Sequence, residues 1–110
     1  MANTFKNAYL DVTNSAQTIY TAPASTTSIV LTLRATNVDG ASDDTITAEV
    51  FNSGGTPAAK IAHTITVPAD SSIELAGTSK IVLETGDYIQ LTGGAASGDI
   101  EAFASILEIT

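Results

Sequence analysis

The sequence predicts an all-β protein, an antiparallel β-sandwich or jelly roll of eight or nine short strands with no substantial helix. Two observations carry this prediction. Thr, Ser, Ala, Ile and Val dominate the chain, whereas helix-forming residues are sparse. Several segments also alternate apolar and polar residues, a pattern typical of strands with one buried face. The chain has 110 residues and no evident linker, so we expect residues 1–110 to form one domain.

Turn-forming clusters rich in Gly, Asn, Asp, Ser and Pro separate the alternating segments, for example NVDGASDD and NSGGTP. In SIVLTLRAT, strict alternation predicts that Ile29, Leu31 and Leu33 share one face and that Val30 lies on the other. The predicted strands cover residues 5–12, 16–21, 28–37, 44–52, 59–67, 71–75, 80–84, 87–92 and 100–109.

The stretch KIVLETGDYIQL shows how one of these turns is built. Apolar residues alternate on both sides of Thr85-Gly86-Asp87. Glycine adopts positive φ at little steric cost, and an aspartate side chain can hydrogen-bond the backbone of a turn. We therefore expect either a hairpin or a corner at which the chain passes from one sheet to the other.

Charge and composition exclude several classes of function. Twelve acidic and four scattered basic residues give a net charge of −8, so neither the phosphate backbone of nucleic acid nor an anionic membrane is an expected partner. The sequence has no cysteine, no signal-peptide pattern at its start and no apolar run long enough for a membrane span. We expect the protein to be made in the cytoplasm.

We expect no catalytic site and no cofactor. His63 is the only histidine, there is no cysteine, and the chain lacks the G-x-S-x-G motif of a nucleophilic serine. A zinc site usually needs three or four nitrogen or sulfur ligands. Since His63 alternates in phase with Ile61 and Ile65, we expect it to pack in the core or in an interface.

The loop containing Asp39, Asp43 and Asp44 is the most ligand-like cluster in the sequence. Ca²⁺ accepts carboxylate and carbonyl oxygens from flexible loops, but this loop lacks the twelve-residue spacing of an EF-hand and its final bidentate Glu. A solvated hairpin turn is the preferred interpretation, and a calcium site is the alternative.

The last predicted strand is apolar on both faces, although a sheet with one solvated face needs only one such row. Either the second row is covered within the domain, or it meets another chain, as large exposed apolar patches commonly do. The first row consists of Ile100, Ala102, Ala104 and Ile106, and the second of Phe103, Leu107 and Ile109.

The first segment, MANTFKNAYLDV, offers a second kind of contact. It carries few charges, and Phe5 and Tyr9 are spaced among polar residues. Such a segment can form an ordinary first strand, or it can act as an extended arm that adds to the edge of a neighbouring sheet. The sequence-based interface candidates are therefore Phe5 and Tyr9 together with Phe103, Leu107 and Ile109.

The chain resembles a family of small virion proteins of tailed bacteriophages, including marine and cyanobacterial phages. The resemblance rests on the start MAN-x-F-K-N, the IYTAP segment with the Thr-rich strand after it, VPA, LETGD and the final LEI. It spans nearly the whole chain, and residues 37–60 match least. These motifs are structural, so they assign no catalytic or ligand-binding residue.

The resemblance implies a non-enzymatic component of a virus particle. The first expectation is a capsid decoration (cement) protein, commonly trimeric, which binds the major capsid protein or another virion protein on the outside of the shell. A neck, tail or fibre-associated component is the alternative. A carbohydrate-binding β-sandwich is a third possibility, against which stand the absence of Trp and the dispersed Tyr and Phe residues.

Overall fold

The computed structural model describes residues 2–76, 80–96 and 98–110 and confirms the all-β prediction. The strand bounds differ from the predicted ones by at most two residues, and the described residues contain no helix, hence none that is long and apolar enough to cross a membrane. The strands are β1 (Asn3–Val12), β2 (Gln17–Thr21), β3 (Thr27–Asn37), β4 (Asp44–Phe51), β5 (Pro57–Val67), β6 (Ser72–Glu74), β7 (Ile81–Leu83), β8 (Tyr88–Gly93) and β9 (Ile100–Ile109).

The strands form two antiparallel sheets that pack as a sandwich. The first sheet has the order β1-β9-β3-β6, with β7 also paired to β3, and the second has the order β2-β8-β4-β5. The strand pairs are nested along the chain. The pair of β1 and β9 encloses that of β2 and β8, which encloses the pairing of β3 with β6 and β7, and the innermost pair is β4 with β5. This nesting is the jelly-roll arrangement, in which the chain crosses repeatedly between two sheets.

The turn at Gly86 is a corner between sheets. β7 belongs to the first sheet and β8 to the second. Gly86 has φ +85°, as expected for this position. The Asp87 carboxylate accepts hydrogen bonds from the backbone N–H groups of Glu84 (3.1 Å) and Ser53 (3.2 Å), which confirms that Asp87 binds the backbone of the turn.

The core lies between the sheets and is built from the inward rows of both. Fully buried side chains include Leu33, Ile46, Leu83, Ile89 and Leu91. The inward row of β9 is also buried throughout: Ile100, Ala102, Ala104 and Ile106.

One predicted face is wrong. The pairing of β3 with β9 shifts register between Val30 and Thr32, so that Leu31 is an extra residue in β3. Val30 is therefore fully buried opposite Ile106, and Ile29 faces outward, whereas Leu33 beyond the bulge faces inward. A β-bulge changes the phase of alternation along a strand, and strict alternation could not anticipate it.

Candidate interaction surface

The outer face of the first sheet brings together all five residues that the sequence proposed as interface. Phe103, Leu107 and Ile109 lie on this face of β9 and are half-buried. β1 pairs with β9 over its entire length, which places Phe5 opposite Leu107 and Tyr9 opposite Phe103. Phe5 and Tyr9 are 74% and 71% exposed, so no further layer of the described residues covers them.

Strand register extends this face into a continuous apolar row across four strands. Leu107 of β9 lies opposite Ile29 of β3, and Ile29 lies opposite Val82 of β7. Val82 is 59% exposed. We call Phe5, Leu107, Ile29 and Val82 the apolar row. The bulge at Leu31 is what turns Ile29 outward and makes the row continuous.

The same face becomes polar and then aromatic toward the other end of the strands. Next to the apolar row, Ser105 Oγ donates a hydrogen bond to Asn7 Oδ1 at 3.2 Å. Beyond this pair, the rings of Tyr9 and Phe103 meet at a centroid distance of 5.4 Å and an angle of 40°. Such a tilted contact is a favourable geometry for two aromatic rings.

Two carboxylates follow the aromatic pair. Asp11 of β1 lies directly opposite Glu101 of β9, and both are exposed. The aromatic pair and the two acids line a shallow cavity of about 250 Å³, which also includes Thr36. We call Tyr9, Asp11, Thr36, Glu101 and Phe103 the aromatic–acidic cavity.

The edge of the first sheet at β1 is unusually regular. β1 pairs with β9 over ten residues without a register shift, which leaves its other edge long and straight, with Lys6 and Asp11 as its only charges. Among the other edge strands, β2 and β5 contain register shifts, and β6 and β7 have three residues each. Short or bulged edges resist pairing with another chain, whereas a long regular edge favours it.

The loop that carries the aspartates is not the predicted hairpin turn, because it joins β3 of the first sheet to β4 of the second. Backbone N–H groups donate hydrogen bonds to all three aspartates. Asp39 Oδ1 accepts a hydrogen bond from Ala41 N (2.8 Å), and Asp43 Oδ1 accepts one from Ala69 N (3.0 Å). Asp44 Oδ1 accepts from two backbone N–H groups, and its buried Oδ2 has no hydrogen-bond partner in the described structure. Within the described ranges, no three His, Cys, Asp or Glu side chains are grouped as a metal ion requires.

His63 does not pack in the core, since it is exposed on β5, and its packing in an interface stays a prediction. Register shifts in the β4:β5 pair place Ala62 inward, opposite Ala48, so that the next residue points away from the core.

A buried polar group on the inner side of the first sheet was not predicted. Tyr20 Oη donates a hydrogen bond to Glu108 Oε2 at 2.5 Å and lies 2.7 Å from Ser28 Oγ. Lys6 Nζ forms an ion pair with Glu108 Oε1 at 3.3 Å. Burial of the phenol, followed by its hydrogen bond to Glu108, raises the pKa of Tyr20 to about 12. The sequence did carry a signal, because Glu108 continues the inward alternation of Ala104 and Ile106.

Comparison with known proteins supports the fold. No protein-family model and no curated protein sequence matches the chain. A solved structure of Bacillus endospore appendages, described as disulfide-linked pili, aligns with a TM-score of 0.58 and 17% identity, over 99% of this chain and 87% of the other. A structure of the Gx strain of infectious bursal disease virus aligns with a TM-score of 0.52 and 12% identity. That alignment covers 98% of this chain and 30% of the viral one. At these identities, the likeness establishes a shared β-sandwich fold.

Proposed function

We propose that this protein is a non-enzymatic structural subunit that associates with copies of itself and with the surface of a larger particle. The observation that carries the proposal is the apolar row, which crosses four strands of one sheet and in which Phe5 and Val82 are exposed and Leu107 and Ile29 are half-buried. Removing such a surface from water is favourable by about 25 cal/mol per Å² of apolar area. Contiguous exposed apolar residues are typical of an interaction site.

The proposal is consistent with the kinds of assemblies in which the fold occurs. One of the similar structures comes from a pilus and another from a virus. The pili are described as disulfide-linked, whereas this chain has no cysteine. The proposed self-association of this chain therefore does not use disulfide bonds.

We propose more specifically a capsid decoration protein of a tailed bacteriophage, assembled as a trimer, in line with the motifs it shares with small phage virion proteins. The long, regular edge of β1 offers backbone N–H and C=O groups to a strand of the capsid protein. Three linked copies on a trivalent site gain avidity by factors of roughly 10² to 10⁴ without any new contact. Each subunit therefore needs only a modest interface.

Self-association is tested by Leu107→Asp, which places a charge at the centre of the apolar row. Val38→Asp is the matched control, since Val38 is 50% exposed and follows the last residue of β3, whereas Ile29 of the apolar row lies near the start of that strand. Sedimentation velocity should show an oligomer for the wild type and the control and a folded monomer for Leu107→Asp. A wild type that stays monomeric at every accessible concentration would refute self-association in solution.

Attachment is tested with capsids that lack the protein. Deletion of residues 2–7 removes half of β1, including Phe5, and should abolish capsid binding. A folded oligomer should persist through Leu107, Ile29 and Val82, the members of the apolar row that remain. Unchanged occupancy would move the attachment surface to the loops at 37–44 or 52–58. Counting copies on the particle separates the two virion roles, because decoration requires hundreds of copies on the shell, whereas a neck or tail component occurs as a small set at one vertex.

A further inference from the structure

We propose that the aromatic–acidic cavity binds a basic side chain, an arginine or a lysine, presented by a partner protein. The cavity lies at the opposite end of the outer face from the apolar row, and the inference does not depend on the capsid role. The inference rests on three features of the cavity: its two aromatic rings, its two carboxylates and its volume.

The two carboxylates form an unfavourable pair in the isolated domain. Asp11 and Glu101 are direct cross-strand neighbours, an arrangement in which like charges repel. The two ion pairs among the described residues use other acids, Lys6 with Glu108 and Lys60 with Glu49. A cation between the two carboxylates would remove the repulsion and replace it with attraction.

The aromatic rings select the kind of cation. Phe103 and Tyr9 present electron-rich π faces, which attract a cation within about 6 Å of the ring centroid. A guanidinium group can stack on a ring and at the same time donate hydrogen bonds to a carboxylate. Hard metal ions such as Ca²⁺ need six to eight oxygen ligands, and the acidic side chains of this cavity number two.

The charge of the chain also indicates that the basic side chain comes from a different protein and not from a second copy of this chain. Each copy carries a net charge of −8, so two acidic cavities repel each other. Lys6 and Lys60 of each copy form ion pairs, and Lys80 donates a hydrogen bond to the Leu31 carbonyl. The fourth basic residue, Arg34, is exposed and lies opposite Phe103 on the outer face of its own copy, beside the cavity. A basic patch on another protein meets the cavity without that repulsion.

The test is an NMR titration of the full chain with acetyl-Gly-Arg-Gly-amide. The control peptide contains citrulline, which has the shape of arginine but no charge. We expect amide shifts concentrated at Asp11, Thr36 and Glu101, with affinity about fivefold higher for the arginine peptide, since its charge adds a cation–π contact and ion pairs that citrulline cannot make. Raising the salt concentration should weaken binding.

Two variants locate the site. Glu101→Gln should reduce the affinity for the arginine peptide by about twofold, since Asp11 and the two aromatic rings remain. Glu84→Gln removes the same charge from an exposed position at the sheet corner and should leave affinity unchanged. Equal binding of both peptides, or equal loss in both variants, would overturn the proposal.

Two other occupants give distinct results, and each would overturn the proposal. A neutral oligosaccharide such as maltotetraose that shifts the same amides, while the arginine peptide does not, would indicate a sugar site. If Arg34→Gln dissociates an oligomer of this chain and the arginine peptide competes with self-association, the occupant is Arg34 of a second copy.

Discussion

Substitution of Tyr20 by Phe tests whether the buried polar group holds the first sheet to the second. Tyr20 lies on β2 of the second sheet, and its hydroxyl meets Glu108 and Ser28 of the first. Phe keeps the ring and removes the hydroxyl. Glu108 and Ser28, which are 6% and 0% exposed, then each lose a hydrogen-bond partner.

We expect Tyr20→Phe to lower the free energy of unfolding by about 2 to 3 kcal/mol at pH 7, because hydrogen bonds to charged groups contribute about 1.5 to 3 kcal/mol. For 110 residues the entropy of unfolding is about 0.23 kcal/mol/K, so Tm should fall by about 9 to 13 °C. Urea denaturation followed by circular dichroism measures the change at fixed protein concentration.

The effect should depend on pH in a defined direction. The pKa of Tyr20 is about 12 in the folded protein, against 10.0 for an unperturbed tyrosine. A raised pKa contributes stability that is fully present below pH 10 and is lost as the pH rises through about 12. A difference of two pKa units corresponds to about 2.7 kcal/mol, which solvent screening at the half-buried phenol reduces to about 1 to 2 kcal/mol. The stability gap between wild type and Tyr20→Phe should narrow by that amount between pH 9 and 12.

Tyr88→Phe is the matched control. The Tyr88 ring stacks on Phe51 at 5.1 Å, and its hydroxyl makes no hydrogen bond within the described structure. Loss of the Tyr88 hydroxyl should lower the free energy of unfolding by less than about 0.5 kcal/mol. Equal destabilisation by Tyr20→Phe and Tyr88→Phe, or a gap that does not change with pH, would refute the reasoning.

Three further predictions concern turns and loops. Gly86→Ala should lower the free energy of unfolding by about 2 kcal/mol, because φ is +85° and a Cβ would lie 2.6 Å from Ser53 Cβ. Gly54→Ala is the control, because its Cβ would meet open space, and it should lower the free energy of unfolding by less than about 0.5 kcal/mol. Equal Tm values for the two variants would contradict this prediction. Asn37→Ala should lower the free energy of unfolding, measured by urea denaturation, by about 3 kcal/mol, since the buried amide makes three hydrogen bonds. A decrease below about 1 kcal/mol would show that these bonds are dispensable. EDTA should leave Tm unchanged, because backbone N–H groups already engage the three loop aspartates; a drop of many degrees would instead support the calcium site.

Much of the fold was predictable because its signals are local. Alternation and turn residues located the nine strands of the described chain to within two residues. The turn at Gly86 was also predictable, since positive φ favours glycine and the Asp87 side chain reaches the backbone a few residues away. The turn is a corner and not a hairpin because β8 pairs in the second sheet. No local sequence pattern specifies the sheet to which a strand belongs.

The sequence by itself determined the fold class, the strand positions and the two apolar rows of β9. Only the tertiary structure decided which residues share a surface, because strand register and bulges arise between strands distant in the chain. The bulge at Leu31 turned Ile29 outward to complete the apolar row, and the pairing of β1 with β9 set Asp11 beside Glu101. The contact of Tyr20 with Glu108 joins residues 88 positions apart across two sheets, which a pattern within one strand does not encode.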